Sequence, residues 1–385
     1  MKDAPIPLSA PDITDSEIEA VVSVLRGSRL SLGPVLGEFE IAVAKYAGCA
    51  HAVAVSSGTS ALHLALLALG IGAGDEVIVP SFTFIAAANV IRYVLATPVF
   101  ADIEPRTLNL DPARVEAAIT PRTRAILVVH TFGVPAQTDA LVHLARKHNL
   151  RIIEDACEAI GAEYRGRKVG TIGDVGAFAF YPNKQITTGE GGVLVTDNAG
   201  VAATARALRN QGRRTTDDWF EHSEVGYNYR ISEINCALGV EQLKRIDGIL
   251  QRREQVASWY RSRLADCKDL ILPISNVETA RISWFVYVLR LSMEHSRADR
   301  DYVMRQLAAA GIATGRYFAP IHLQPAYREF AHAAPMLPVT EEESSRCIAL
   351  PFFNRITELQ MDRVCATLSA ALDGLEIGGN PENLR

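Results

Sequence analysis

The sequence lacks the patterns that are typical of membrane, secreted and nucleic-acid-binding proteins. No apolar run approaches the ~18 residues that a membrane helix needs, and residues 1–20 contain no basic segment followed by an apolar one. With 39 basic and 44 acidic side chains the net charge is −5, so neither sign of charge favours nucleic acid or an anionic membrane as a partner. We therefore expect a cytoplasmic protein that acts on small molecules.

Motifs for metals, disulfides and several common cofactors are also missing. The 6 cysteines form no C-x-x-C pair, so we expect no metal site and no disulfide framework, and we interpret the cysteines as small buried apolar residues. There is no Walker P-loop, no G-x-G-x-x-G after a strand, no H-E-x-x-H and no G-x-S-x-G. A dinucleotide-dependent dehydrogenase is therefore poorly supported.

What the sequence does contain is an alternation of apolar runs and helical patterns in its first half. Runs such as HAVAV, EVIVP, AILVV and RIIED are nearly continuous in Val and Ile, which is typical of strands buried on both faces of a parallel sheet. Residues 231–264 have helical spacing and predict one long helix or a bent pair. We expect a large α/β domain over residues 1–247 and a smaller α+β domain over residues 248–385.

Three segments at the ends of predicted strands are candidates for chemistry. The small residues 56–60 precede a helix and can bind a phosphate at its N-terminus, or simply cap that helix. Asp155 ends a buried strand and needs a cation or several donors, although it could also be a structural cap. Lys184, between an aromatic strand and a glycine cluster, is a candidate for Schiff-base chemistry, although most lysines are merely solvated. Together, a phosphate cup, a buried acid and such a lysine are what pyridoxal phosphate requires.

With these residues in place, the chain resembles the DegT/StrS family of pyridoxal-phosphate sugar aminotransferases. The resemblance covers nearly the whole chain, in the family's order, and is carried by the blocks PDITDSEIEAVVSVLRGSRLSLGPVLGEFE, SSGTSAL, VIVPSFTFIAAANVI, EDACEAIGA, FAFYPNKQITTGEGG, GYNYRISEINCALGVEQL and YFAPIHLQPAY. It implies a fold-type I aminotransferase fold, with a large α/β domain around a mainly parallel sheet and a smaller C-terminal α+β domain.

The resemblance also implies roles for individual residues around the cofactor. Lys184 would be the Schiff-base lysine and Asp155 the partner of the protonated pyridine nitrogen, and these are the two catalytic residues. The cofactor phosphate would be held by three residues at the start of the helix: Gly58, Thr59 and Ser60.

The resemblance places three further positions near the cofactor but leaves their roles open. Phe84 would cover the face of the cofactor ring, with Phe82 as the second choice. Core packing is the ordinary alternative for either residue, and for Phe82 it is the favoured one. Glu158 stands where the family usually has His or Gln near the phenolic oxygen, and a carboxylate there would repel a phenolate unless it is protonated or bridged by water. Ala179 stands where many members have a phosphate-binding Ser.

Other implied residues concern the substrates and a second subunit. Asn228 and Arg230 would reach the neighbouring subunit's cofactor phosphate, which makes a homodimer necessary for activity. The alternative is that they only order their own loop. His322 and Tyr317 would approach the sugar. Arginines that are candidates for the anionic nucleotide are Arg29, Arg213, Arg214 and Arg316.

The function that this resemblance implies is transamination from L-glutamate to the ketone of a nucleotide-linked keto-deoxysugar, with C4 favoured over C3, for glycan or antibiotic biosynthesis. Lys184 argues against dehydration, since relatives that remove a sugar hydroxyl carry histidine there. The same chemistry on a cyclitol or other non-nucleotide ketone is an alternative. A non-catalytic sugar sensor is another, although a sensor would have no need of a lysine base.

Overall fold

The computed structural model describes residues 4–214, 216, 218, 220–331 and 336–378. The helices are α1 (Asp15–Arg26), α2 (Pro34–Ala47), α3 (Gly58–Ala68), α4 (Ala86–Tyr93), α5 (Pro112–Ala117), α6 (Thr138–His148), α7 (Ala199–Arg209), α8 (Glu233–Lys244), α9 (Ile246–Leu264), α10 (Arg297–Ala309), α11 (Arg328–Ala331), α12 (Pro338–Arg346) and α13 (Glu358–Gly378). Short 3-10 helices cover Thr131–Gly133, Ile321–Leu323 and Pro325–Tyr327.

The strands form one large and two small sheets. They are β1 (His51–Val55), β2 (Glu76–Pro80), β3 (Thr97–Ala101), β4 (Thr123–Val129), β5 (Arg151–Asp155), β6 (Glu163–Tyr164), β7 (Arg167–Lys168), β8 (Val175–Ala179), β9 (Gly192–Thr196), β10 (Leu270–Ile271), β11 (Ala280–Arg281), β12 (Tyr287–Leu291) and β13 (Cys347–Leu350). The large sheet has 7 strands in the order β1-β9-β8-β5-β4-β2-β3.

The large sheet is parallel except at β9. Strands β3, β2, β4, β5 and β8 pair in parallel, whereas β9 runs antiparallel to both β8 and β1. The carboxyl ends of β1, β2, β4, β5 and β8 therefore lie at one edge of the sheet, together with the start of β9. Ligands of open α/β sheets bind at this edge.

Both faces of the large sheet are covered by helices, because successive strand residues point to opposite faces. In β1, Val53 and Val55 pack with residues of α3, α4 and α7, while Ala52 and Ala54 pack with α2 and α8 on the other side. This double burial explains the near-continuous apolar runs and confirms the predicted α/β architecture with a mainly parallel sheet.

The segment after α8 crosses from this core to a second one. The helical pattern of residues 231–264 is a bent pair, since α8 ends at Lys244 and α9 begins at Ile246. Ile249 and Leu250 pack in the core of the large sheet, whereas Val256 and Tyr260 pack with the C-terminal residues around the β10-β12-β13 sheet. Helix α9 therefore passes from one hydrophobic core to the other between Leu250 and Val256, shortly after residue 248. The division into two domains there stays a prediction.

The cysteines are less uniformly buried than expected. All are free thiols, and Cys236, Cys347 and Cys365 are buried, but Cys49, Cys157 and Cys267 are only partly buried. The expectation of small buried apolar residues is therefore wrong for three of them, because two lie at loops and Cys157 faces a cavity. Among the described helices, none is long and apolar enough to cross a membrane.

Candidate active site

A cavity of about 440 Å³ opens at the carboxyl edge of the large sheet. Its walls come from the loops after β1, β2, β5 and β8 and from two segments of the C-terminal half. The lining residues include Ser57, Gly58, Thr59, Thr83, Phe84, Asp155, Cys157, Glu158, Ala179, Tyr181, Asn183, Lys184, Glu190, Phe285 and Tyr317.

Lys184 enters the cavity from the loop between β8 and β9. Its backbone N–H donates to the Tyr181 carbonyl at 2.9 Å, which forms a tight turn, and its side chain is only 13% exposed. The Nζ atom lies 4.0 Å from the centre of the Phe285 ring and 3.7 Å from Glu158 Oε1. The amine is thus held between an aromatic face and a carboxylate.

Asp155 is the last residue of β5 and lies on the cavity floor. Its Oδ1 accepts the backbone N–H of Cys157 at 3.1 Å, and the residue is 9% exposed. This short Asx turn fixes the carboxylate at the end of the strand and leaves it facing the cavity. A buried carboxylate in such a position is suited to pair with a cationic group of a bound molecule.

Glu158 lies three residues further along the chain and is slightly more buried, at 7% exposed. Its Oε2 accepts the Phe132 N–H at 3.0 Å, while Oε1 faces Lys184. Burial raises the pKa of Glu158, and the Asp155 carboxylate adds to this rise, whereas Lys184 and the Phe132 N–H oppose it. The carboxyl is therefore easier to protonate than one in water.

The start of α3 forms part of the cavity wall. Ser57 caps the helix by accepting the Ser60 N–H at 3.0 Å, so the ordinary capping role is real, but Gly58 and Thr59 also line the cavity. A Cβ on Gly58 would lie 2.6 Å from the Ala179 Cβ, so glycine is what lets the helix terminus approach the sheet. Ser60 points elsewhere and is bonded to the hydroxyls of Ser56 and Ser57.

Aromatic side chains also contribute to the cavity wall. Phe84 lines it and is 61% exposed, whereas Phe82 is fully buried and packs edge-on against Phe132 and Phe318. Tyr317 also lines the cavity. Its pKa is raised by burial and by the Glu158 carboxylate.

The remaining candidate residues lie outside the cavity of this chain. His322 is buried against Ser81, with 2.6 Å between Nδ1 and the hydroxyl oxygen, and its Nε2 lies 3.3 Å from Glu341. Arg29 is exposed and lines a separate cleft beside the start of α2. Asn228 is exposed, and Arg230 donates to Asn210 at 3.0 Å.

The other arginines suggested for the nucleotide are engaged in ion pairs or further contacts. Arg316 lies 3.0 Å from Asp301 and Arg214 pairs with Glu224. Arg213 makes a backbone hydrogen bond to Asn210. None of the three lines the cavity among the described residues.

Several lining residues were missed by the sequence analysis. Asn183 and Tyr181 stand in the block around Lys184, so the same block could have suggested them. Phe285 lies in the apolar run SWFVYVLRL, whose composition predicts a strand over residues 283–291, but β12 begins only at Tyr287. Ser283 instead bonds to Gly133 and Gln185 of the loops after β4 and β8, and Lys184 Nζ lies over the neighbouring Phe285 ring.

A cavity at the strand ends with a buried lysine, a buried carboxylate and a helix N-terminus is typical of fold-type I aminotransferases, and the fold is of that type. The chain belongs to the DegT/DnrJ/EryC1/StrS aminotransferase family, whose model matches residues 11–369. The resemblance seen in the sequence is thereby confirmed, and the protein is an aminotransferase.

Named relatives match nearly the whole chain. It is 44% identical over 375 residues to GDP-perosamine synthase of Caulobacter vibrioides, covering 97% of this chain and 100% of the relative. Among solved structures, DesV of S. venezuelae in complex with a ketimine intermediate is 38% identical, with a TM-score of 0.88 and coverage of 96% and 99%. A putative sugar aminotransferase of Streptococcus pneumoniae, Spr1654 in its PMP form, is 29% identical, with a TM-score of 0.92 and coverage of 98% and 100%.

Proposed function

We propose that the protein uses pyridoxal phosphate to move the amino group of L-glutamate to the ketone of a nucleotide-linked keto-deoxysugar, with C4 favoured over C3. The observation that carries this proposal is that Lys184, Asp155 and the start of α3 meet in one cavity. GDP is the preferred nucleotide, because the relative with 44% identity is a GDP-perosamine synthase.

The residues of the cavity fit pyridoxal phosphate. The backbone N–H groups of Gly58 and Thr59 at the start of α3, with the helix dipole, suit a phosphate. Asp155 suits the protonated ring nitrogen, and the exposed Phe84 ring suits one face of a planar heterocycle. Ala179 offers no hydroxyl, so phosphate binding would rely on backbone donors and on a neighbouring subunit.

Bound pyridoxal phosphate supplies an electron sink for charge that develops at the α-carbon of an amino acid. The protein's own part is proton transfer and orientation. Lys184 Nζ is the base that takes the proton from the α-carbon of the amino acid and gives a proton to the sugar carbon that becomes aminated. The surrounding aromatic wall keeps water away from this amine. Asp155 keeps a proton on the ring nitrogen through its negative charge.

The negative charge of the proposed substrates favours a homodimer in which both subunits contribute to each active site. Both proposed substrates are anionic, yet Lys184 is the only Lys or Arg among the described residues that line the cavity. Asn228 is exposed and Arg230 is partly exposed, and both lie away from this chain's cavity. We infer that they serve the cavity of the second subunit, together with Arg29.

The first test of this function is an absorbance spectrum in the presence of pyridoxal phosphate, before and after L-glutamate is added without any sugar. We expect a visible band of lysine-bound cofactor that glutamate converts to the pyridoxamine form, with one equivalent of 2-oxoglutarate released. GDP-linked ketosugars and cyclitol ketones are then compared as acceptors. A band that no amino acid alters would contradict the aminotransferase mechanism and favour a sensor.

The shared site predicts complementation between two inactive variants. Lys184→Ala lacks the base, and Asn228→Asp places a negative charge where a phosphate is expected, so each homodimer should be severely impaired. Mixed dimers contain one cavity with both native residues, and mixing should restore up to about a quarter of the activity if subunits exchange at random. Exchange is verified by tagged subunits. If they exchange and no activity returns, Asn228 does not act across the interface.

A further inference from the structure

The cavity contains more negative charge than its single lysine can balance. Asp155, Glu158 and the exposed Glu190 line it, and Lys184 is the only basic residue among its described lining residues. The groups that face Glu158 are Lys184, the Asp155 carboxylate, the Cys157 thiol and the Tyr317 hydroxyl. Lys184 is therefore the only cationic side chain that faces Glu158 there, and any loss of its charge leaves a buried carboxylate unpaired.

Glu158 is held so that one oxygen alone is available to Lys184. Oε2 accepts the N–H of Phe132, whose φ of 57° lies in the left-handed region that a phenylalanine seldom adopts. The Glu158 carbonyl accepts from Gln185 Nε2 at 2.6 Å, which ties its backbone to the residue after Lys184. Oε1 remains 3.7 Å from Lys184 Nζ, a gap that the flexible lysine chain can close.

We propose that Glu158 is a positioning residue that accepts the proton of Lys184 whenever this lysine has to be a neutral amine. One N–H bond of the ammonium breaks, one O–H bond forms at Glu158 Oε1, and the net charge of the cavity stays the same. Constant charge matters because a new unpaired charge in a buried site is costly. The inference rests on the proposed role of Lys184 as an amine nucleophile and base.

The first experiment uses the full-length, cofactor-free protein and infrared difference spectroscopy. Lys184→Met removes the ammonium and keeps an apolar side chain, so Glu158 is expected to be protonated at neutral pH and to show the band of a buried carboxylic acid. The band should be absent from the wild type and from Lys184→Met/Glu158→Gln. If Lys184→Met shows no band, or the double variant retains it because Asp155 holds the proton, the proposal is overturned.

The second experiment measures how fast an acylating reagent modifies Lys184 in the cofactor-free protein as a function of pH. In Glu158→Gln the ammonium loses its counter-charge, so more of Lys184 is free amine and modification at neutral pH should be about tenfold faster. The matched control is Glu163→Gln, which removes a carboxylate 3.8 Å from Lys168 outside the cavity and should leave the Lys184 profile unchanged.

An unchanged profile in Glu158→Gln would also overturn the proposal. Glutamine can still accept the Phe132 N–H, so a change in the profile does not come from loss of that bond. Thermal unfolding checks that the variants are folded. Because neither experiment uses cofactor or substrate, their failure would leave transamination intact, and an inactive wild type would not affect their outcome.

Discussion

Lys184→Ala is expected to abolish turnover and to remove the visible band of lysine-bound pyridoxal phosphate. The variant lacks both the amine that binds the cofactor carbonyl and the base that moves the α-proton, and a positioned base alone contributes about 10²–10⁴ in rate. The fold should survive, because the contacts of the Lys184 side chain in the described part of the chain are with an aromatic ring and one carboxylate.

The measurement is the rate of 2-oxoglutarate formation from L-glutamate, together with the absorbance spectrum and the unfolding temperature. Lys168→Ala is the matched control, since Lys168 also lies over an aromatic ring, that of Tyr46, at 4.0 Å but outside the cavity. The control should retain both the band and the rate. Full transamination by Lys184→Ala would contradict the mechanism.

The sheet and the positions of Lys184 and Asp155 were accessible from the sequence for a physical reason. Strands buried on both faces must be apolar along their whole length, so they stand out, and a polar residue at the end of such a run lies at the carboxyl edge. Asp155 follows RIIE directly, and Gly58 follows β1 after a short turn. Helix and strand positions were predicted well wherever local periodicity determines them.

Contacts between distant segments could not be predicted in this way. Phe285 reaches Lys184 because β12 begins only at Tyr287 and residues 283–286 lie outside the strand. A continuous apolar run gives no local sign of this late start. The antiparallel insertion of β9 depends on a pairing across the sheet. The bonding of His322 to Ser81 and Glu341 likewise joins elements far apart in the chain.

The protonation of Glu158 could not be predicted from the sequence for the same reason. The sequence placed a carboxylate near the cofactor and left its role open, because its protonation depends on burial and on neighbours, two of which come from other segments of the chain. The structure supplies those neighbours: Phe132, Lys184 and Asp155. Only their arrangement explains why an acidic side chain can be accommodated in that position.

Asp155→Asn is expected to lower the rate of the glutamate half-reaction by about 10–1,000-fold. An anionic neighbour raises the pKa of a cationic group by about 1–3 units, and each unit is a factor of ten in the protonated fraction. Asparagine carries no charge to keep the ring nitrogen protonated, so the electron sink weakens. Its amide oxygen can still accept the Cys157 N–H, so the turn after β5 should persist.

The test compares single-turnover rates of the cofactor-loaded variants with L-glutamate over a range of pH. Lowering the pH should partly restore the rate of Asp155→Asn, because solvent then protonates the ring nitrogen that the carboxylate no longer supports. Asp174→Asn is the matched control: Asp174 accepts the Ile152 N–H at 2.8 Å at the opposite end of β5, away from the cavity. An Asp155→Asn rate equal to that of this control at every pH would show that the carboxylate does not support the ring nitrogen, and Asp155 would then be a structural cap.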